Sequence, residues 1–588
     1  MFSETTEHIE VPVLIVGAGP AGLALSLTLA RYGVEHLLVE RYEGTAHTPR
    51  AHIINQRTVE ILRHLGISDD FHAVATPQHL MANNVWSTSL TGPEIARSET
   101  WGTSPDRAAD YFKASPEPMA NCPQTVLEPL LLEATREAGS DVRFGHEFVE
   151  FVQDDTGVTS TLRHRDTGDE VSVRSTYLVA ADGANSKILG QAGLSAEGPD
   201  DLARAANVWF RADLSKYLEH RPGVLSWNVA PGPHAPLRLG TLVCHKPFTE
   251  FVLIFMFDPA TDPLEDMTNE QLVDRIRAFV GDDVDPEILG VAGWQVRAQV
   301  APQYHVDRVF LMGDAVHRHP PTNGLGLNMS VADAYNLGWK LALNLAGRGG
   351  RALLDSYTAE RQPVGVEGVN RAITSLQESG AVEAALGFEP GQSVEDGQKA
   401  LSVLFEAGPA GDARREALRQ AVELSNYQFN AHGIELGYRY HSDAIASEDQ
   451  AEAPPTRDPQ LYYEPTSRPG VRVPHARLER DGREAISSLD LVSGLEFALL
   501  TGTGGQEWER AAATATERFG VPVQVHIIGR NSSITDPYGE WAQRREVDES
   551  GCVLVRPDRH VAWRSTSYTP GSDTELVSAV ERALGLSQ

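Results

Sequence analysis

Residues 11–40 constrain this chain more than any other stretch. Val-Pro-Val-Leu-Ile-Val runs directly into Gly17-Ala18-Gly19-Pro20-Ala21-Gly22, and an apolar helix and a second apolar run follow, ending at Glu40. The first run reads as a buried parallel strand. Gly17, Gly19 and Gly22 supply the tight turn, the close backbone approach to a pyrophosphate and the strand–helix contact of a dinucleotide clamp. The amides opening the helix at Ala21 present the positive end of its dipole to phosphate. Gly33 is placed to cap that helix, and Glu40 to accept from a ribose hydroxyl. Arg41 beside it keeps a 2′-phosphate reading open. The motif alone does not separate FAD from NAD; its place near the start, with the whole chain left to close over a cofactor, favours FAD.

At 588 residues the chain exceeds one core and implies two to four domains. With 50 Lys and Arg against 81 Asp and Glu, the formal charge is −31, which argues against nucleic acid or an anionic membrane as partner. No apolar run approaches the roughly 18 residues of a membrane span. The polar start lacks the features of a signal peptide, so the expected compartment is the cytoplasm. Cys122, Cys244 and Cys552 are far apart in sequence, which gives no disulfide framework and no metal site.

Along the chain, residues 48–65 are expected to turn into an amphipathic helix that buries Val59, Ile61, Leu62 and Leu65, with Arg50, His52, Asn55, Gln56 and Arg57 crowding its polar start. Residues 76–120 are broken by Gly and Pro and read as an excursion. A helix is expected over 125–138 behind Gln124, an alternating strand region over 142–162, and strands at 170–173, 177–181, 205–210, 224–229 and 251–257. Residues 309–312 form another buried strand. A Gly/Pro-rich loop, 317–328, then leads to a helix expected over 329–345. Further on, 352–385 is mostly helical with a break expected at Pro363, 387–397 is a linker, 399–407 and 413–426 are helices, and 448–474 is a connector. Strands at 496–501, 521–528 and 553–555 with helices at 507–519 and 573–584 suggest a small α/β domain.

Three motifs now stand in order: Gly17-Ala-Gly19-Pro-Ala-Gly22 with Glu40, Ala181-Asp182-Gly183-Ala-Asn-Ser186, and Gly313-Asp314-Ala-Val-His317. Together with the strings PRAHIINQRTVEILRHLG, ADLSKYLEHRPGVLSW and GDAVHRHPPTNGLGLN, they resemble the single-component flavoprotein aromatic hydroxylases. The likeness is strongest to the branch of 2,4-dichlorophenol 6-monooxygenase and phenol 2-monooxygenase. It implies an α/β fold: a Rossmann-type FAD-binding domain (1–75, 121–190 and 301–385) interleaved with a β-sheet substrate domain of the p-hydroxybenzoate hydroxylase type (76–120 and 191–300). A helical segment and linker (386–460) and a thioredoxin-like domain without redox cysteines (461–588) follow; GCVLVRPDRHVAW, residues 551–563, carries that last likeness.

By the same resemblance Asp314 holds the ribitol hydroxyls of FAD, Arg50 and Gln124 its phosphate and ribityl region, and Asp182-Gly183 contacts FAD and a visiting NADPH or NADH. Pro321 lies beside the flavin ring. Gly324, Gly326, Leu327 and Asn328 lie near its pyrimidine edge, where fixed amide donors stabilise the anionic reduced flavin. Lys187 stands where relatives often carry arginine. The chain has no second glycine clamp, which suits a nicotinamide that visits transiently.

The implied reaction is hydroxylation of a phenol ortho to its hydroxyl by O2, through a flavin C4a-hydroperoxide, on a simple or chlorinated phenol. Phenolate reacts faster than phenol, so the site needs a base at the phenolic oxygen and a dry pocket. Yeast-type phenol hydroxylases place an aspartate where this chain has His52, ahead of Asn55-Gln56-Arg57-Thr58, and a histidine accepts a proton at neutral pH. His319, two residues before Pro321, is the competing base, and His317 reads as structural. Trp227 and Arg238 outline the substrate pocket; an inward Arg238 would favour a hydroxybenzoate or decarboxylative reaction. A polyketide or anthracycline hydroxylase of the same fold is the other enzymatic reading, and a flavin-bound protein without turnover the non-enzymatic one. A homodimer is expected from the resemblance.

Overall fold

The apolar run that opens the chain lies mid-sheet. In the computed structural model, which describes residues 7–232, 239–448 and 452–587, the strand Glu7–Val16 pairs in parallel with Glu170–Ala180 on one side and His36–Val39 on the other. Val13, Leu14 and Ile15 are fully buried, as expected of a strand covered on both faces. Asp141–Arg143 and Val309–Leu311 extend the parallel sheet outward. The alternating region beyond residue 142 splits. Its start joins this sheet, and His146–Gln153 and Val158–His164 fold back as an antiparallel ribbon onto Glu170–Ala180.

A second sheet of seven strands runs Glu287–Val296, Ala203–Arg211, Glu250–Met256, Thr241–Lys246, Leu225–Asn228, Asn83–Ser87 and Glu94–Glu99. Strands from residues 83–99 thus complete a sheet whose other members come from residues 203–296. One face packs on the helix Asn269–Val280 through Leu272, Ile276 and Phe279. The opposite face carries Trp86, Val243 and Val252 and meets Val382, Leu386, Leu418 and Phe429.

Four strands near the C-terminus, Val523–Ile527, Phe497–Thr501, Cys552–Val555 and Val561–Ser565, pack against the helices Trp508–Phe519 and Ser572–Ala583. All three cysteines are free and buried. No helix among the described residues is long and apolar enough to cross a membrane.

Several boundaries differ from expectation for physical reasons. The polar start of the segment expected to be helical from residue 48 is extended, with Ile53–Ile54 a short strand, and the helix begins at Gln56 behind an N-cap in which Asn55 Oδ1 accepts from Thr58 N–H. Pro363 does not break its helix, which runs Arg351–Glu378; burial of Leu353, Tyr357, Val364 and Val369 along one face outweighs the lost hydrogen bond. The helix after the Gly/Pro loop starts at Leu325, four residues earlier than expected. Helices Val394–Ser402 and Pro409–Leu424 replace those expected at 399–407 and 413–426. Among its described residues the connector beyond residue 448 contains no helix or strand until Arg477, yet Tyr463, Ser467, Arg472 and Val473 within it are buried.

What pins that connector and the C-terminal strands to the first sheet is buried charge. Glu60 accepts from Arg472, from Nε at 2.8 Å and Nη2 at 2.5 Å, and from Ser115 Oγ at 2.6 Å. Glu360 accepts from Arg556 at 2.6 and 2.8 Å, from Lys340 Nζ at 2.8 Å and from Ser442 Oγ at 2.8 Å. Burial alone would push the Glu360 carboxyl up, but Arg556 and Lys340 hold it below the usual carboxylate range, while burial pulls Lys340 down to about 8. Arg556→Met strands Glu360 and Asp558 in the interior and is expected to cost about 3–5 kcal/mol, read as a lowered unfolding midpoint. Loss of the exposed Arg510–Asp573 pair should leave the midpoint where it was. Equal midpoints for wild type and Arg556→Met would refute the assignment.

Candidate active site

Packing, not ligand, dictates two of the three glycines in the first motif. Gly17 has φ +108°, and a Cβ there would lie 2.2 Å from the carbonyl oxygen of Ala181; one on Gly22 would lie 1.8 Å from the carbonyl oxygen of Gly17. A Cβ on Gly19 would meet nothing within 4 Å, so the tip of the turn faces open space. Pro20 occupies the first turn of the helix Pro20–Arg31, where its missing N–H is not needed, and Ala21 is buried behind it. Glu40 ends the next strand with its carboxylate turned back to this tip, Oε2 accepting from Ala18 N–H at 2.8 Å. Arg41 is exposed beside Tyr42.

The second motif lies against the first through the Gly17–Ala181 contact. Asp182 Oδ2 accepts from the amides of Lys187 and Ile188 and caps that helix, while Oδ1 is buried without a partner. Burial raises the Asp182 carboxyl above its usual value. Gly183 has φ +80° and an open side. Lys187 pairs outward with Glu147 at 2.5 Å.

The third motif arrives from the strand Val309–Leu311. Gly313 has φ +60° and no room for a side chain, since a Cβ would lie 2.9 Å from Ser330 Oγ and 3.3 Å from Ala21 Cβ. Asp314 is exposed by surface area, yet the protein atoms around its carboxyl desolvate it and push its pKa up. The charge of Arg50, itself exposed, acts on Asp314 and on Glu128. Gln124 is buried next to it, its amide N–H donating to Ala51 O and its side chain to Glu128. The residues expected to hold FAD therefore converge on one cleft. An open glycine tip, Asp182 and Asp314 carboxylates able to accept from hydroxyls, and the exposed Arg50 guanidinium together fit a dinucleotide.

The Gly/Pro loop closes one side. Pro321 is exposed, Gly324 has φ +64°, and Gly326 and Leu327 fall in the first turn of Leu325–Leu345, where amides have no partner within the helix. Asn328 follows them, and its side chain has a separate task. Oδ1 accepts from Asn55 N–H at 3.0 Å and Thr58 Oγ at 2.7 Å, and Nδ2 donates to Ile53 O at 2.9 Å and Gly324 O at 2.7 Å. It stitches the amide turn to the segment that carries His52.

His52 and His319 have different surroundings. Buried Asp333 accepts from Arg361 Nε, Gly313 N–H and His317 Nε2, leaving His317 Nδ1 to accept from His319 Nε2 at 3.1 Å. The His319 ring lies against Gly368 of the helix Arg351–Glu378, and burial drives it well below its usual pKa. Sequence reasoning missed Asp333 and Arg361, which sit unmarked within long helices. His52 faces the second sheet. Its Nδ1 is 2.9 Å from Asn121 Oδ1, and Asn121 Nδ2 donates to Cys244 O, which fixes that amide and makes the His52 Nδ1 the proton-bearing nitrogen. His52 Nε2 then carries the lone pair. Burial brings the ring down to about 4. Asn207 Nδ2, donating to Pro49 O, holds the same segment to the sheet.

Trp227 stands on the inner sheet face, its indole N–H donating to Asn84 Oδ1 at 2.5 Å and its ring near Phe429. Arg238 lies outside the described residues. A cavity of about 790 Å3 opens elsewhere, against Gln56, Tyr111 and Arg477, and includes none of the three glycine motifs.

The comparisons agree with this geometry. Residues 10–372 match the FAD binding domain family and residues 466–586 the aromatic-ring hydroxylase C-terminal family. The chain is 43% identical over 587 residues to 2,4-dichlorophenol 6-monooxygenase of Delftia acidovorans, covering 100% of both chains. It is 39% identical to phenol 2-monooxygenase of a Pseudomonas species, covering 97% of this chain and 92% of that one. Among solved structures, the flavin-dependent monooxygenase PieE in complex with FAD and substrate superposes with a TM-score of 0.94 at 49% identity, over 98% and 100% of the two chains. Aklavinone-11 hydroxylase with FAD and aklavinone gives 0.80 at 31%, over 98% and 99%. With the glycine cradle, the cleft aspartates and both family regions in one chain, the protein belongs to the FAD-dependent aromatic-ring hydroxylases and is a flavoprotein monooxygenase.

Proposed function

We propose that this enzyme hydroxylates a simple or chlorinated phenol ortho to its hydroxyl, consuming NADPH or NADH and O2, as a cytoplasmic homodimer. Bound FAD supplies the activation of dioxygen with electrons taken from the nicotinamide. The chain's residues bind, orient and deprotonate. Gly17, Gly19, Pro20, Ala21, Gly22 and Glu40 receive the adenosine half, with Arg41 beside it; Arg50, Gln124, Asp182, Gly183, Gly313 and Asp314 receive the middle, and Pro321, Gly324, Gly326, Leu327 and Asn328 border the ring. A thioredoxin-like C-terminal domain completes the chain.

His52 is the base in this reading, and the observation that carries it is the tautomer. Asn121 keeps the proton on Nδ1, so Nε2 carries the lone pair and can accept the phenolic proton. His319 is tied at Nε2 into the Asp333 chain and packs on Gly368, which supports His52 as the base. A small phenol suits the inner sheet face, where Trp86, Trp209 and Trp227 take up volume that a polycyclic substrate needs. The names of the two monooxygenases cited above favour the same substrate class.

The purified protein should be yellow, and simple phenols should stimulate its oxidation of NADPH or NADH with formation of a catechol. Stimulation by polycyclic phenols alone would transfer the assignment to a polyketide-type hydroxylase. His52→Ala should retain flavin and lose roughly 100-fold or more in kcat/KM. The neutral imidazole is the active form and burial lowers its pKa to about 4, so kcat/KM should hold from pH 7 to pH 5 and fall only below about pH 4. An acid limb near the ordinary histidine value, lost in His52→Ala, would show that the ring is not desolvated as described.

A further inference from the structure

His245 is a buried histidine that the chemistry above does not use. It lies on the strand Thr241–Lys246, the sheet's central region, with its ring centroid 6.2 Å from that of His52 and the planes tilted by 47°. Its exposure is 3%, and neither ring nitrogen has a hydrogen-bond partner among the described residues; Nδ1 is sealed from solvent, whereas Nε2 retains accessible surface. A neutral imidazole has one N–H and one lone pair. An unpaired buried N–H is costlier and rarer than an unpaired buried acceptor, so the proton belongs on Nε2, the open side. His52 has the reverse arrangement: Nδ1–H is given to Asn121 and the lone pair is on Nε2. Its Nε2 likewise has no partner among the described residues and is not sealed.

One ring therefore offers a donor and the other an acceptor, with 6.2 Å between the ring centroids. Two hydrogen bonds of about 2.8 Å from imidazole nitrogens to one tetrahedral oxygen put the ring centroids about 6–7 Å apart. We infer that His245 is the second residue recognising the phenolic oxygen: its Nε2–H donates to that oxygen while His52 Nε2 accepts the hydroxyl proton. As the O–H bond breaks and the proton passes to His52 Nε2, the electron pair stays on oxygen, and the His245 N–H stabilises it. The pair thus selects a hydroxyl over an ether or a methyl group, because only a hydroxyl both accepts and donates. This deepens the reading of His52 as base and rests on it. Among the described residues, the other charge acting on His245 is that of Lys246, on its own strand; burial, then the neighbouring His52, hold the ring neutral.

The test uses the full-length flavoprotein with 4-nitrophenol as an optical probe and with phenol and its methyl ether as competing ligands. Wild type is expected to bind 4-nitrophenol with its pKa lowered from the free value and to bind phenol more tightly than the ether. His245→Leu, with unchanged flavin content, should raise the bound probe's pKa toward the free value and lower kcat/KM for phenol about 10- to 100-fold, the loss expected for a hydrogen bond to a charged oxygen. It should also weaken binding of phenol and of its methyl ether alike, because His52 Nε2, the acceptor that tells them apart, is still present. His245→Gln, which keeps a donor near the same place, should restore part of both. His245→Phe carries the test if the leucine variant does not fold. A bound-probe pKa and phenol affinity that are the same in wild type and His245→Leu or His245→Phe overturn the role of His245 alone, since phenol-stimulated turnover then still stands. If phenols neither bind nor stimulate wild type, the reading of the site fails as a whole.

Discussion

Glu60, Asp333 and Glu360 are fully or almost fully buried, and a carboxylate taken out of water needs a cation and several donors. Each finds them in chain far away in sequence. Arg472 reaches Glu60 from the connector, Arg556 reaches Glu360 from the turn after the strand Cys552–Val555, and Arg361 reaches Asp333 from the neighbouring helix. Such pairs add little net stability compared with apolar side chains, but half of one is intolerable, so they admit a single arrangement. The connector and the C-terminal strands are locked onto the first sheet by this requirement.

That lock reaches the site through one short helix. Gln56–His64 carries Glu60 on the side of Arg472, and its N-cap Asn55 gives its backbone N–H to Asn328 at the start of the helix Leu325–Leu345. Asn328 also grips Ile53 O, next to His52. The amide turn, the segment carrying His52 and the buried ion pair are thus ends of one hydrogen-bonded assembly. Asp333 does similar work on the opposite side, where it fixes Gly313, His317 and, through it, His319. Histidines that look alike in the sequence are separated by these partners into one that holds a loop and one that faces the second sheet.

Much of the cofactor cleft was legible in the sequence because its demands are local. A left-handed or crowded backbone position accepts glycine, so Gly17, Gly22 and Gly313 mark their turns wherever they occur. Strand ends followed by acids mark the edge of a parallel sheet. Element boundaries were less legible where tertiary burial opposed local preference, as at Pro363, or where a side-chain cap moved a helix start, as at Asn55. The packed character of the connector was invisible because its Pro and acidic residues read as solvated chain, whereas Tyr463, Ser467, Arg472 and Val473 within it are buried.

The sequence by itself determined the dinucleotide cradle and the family, since glycine spacing and apolar runs encode backbone shape directly. It determined His52 as a candidate but not its chemistry. Only the tertiary structure decided which nitrogen of His52 carries the proton, because the choice belongs to Asn121, which is itself oriented by Cys244 on another sheet. Only the tertiary structure brought His245 within 6.2 Å, since a buried histidine in the middle of a strand has no sequence pattern. Protonation and pairing are set by neighbours from distant segments, and those neighbours exist only once the chain has folded.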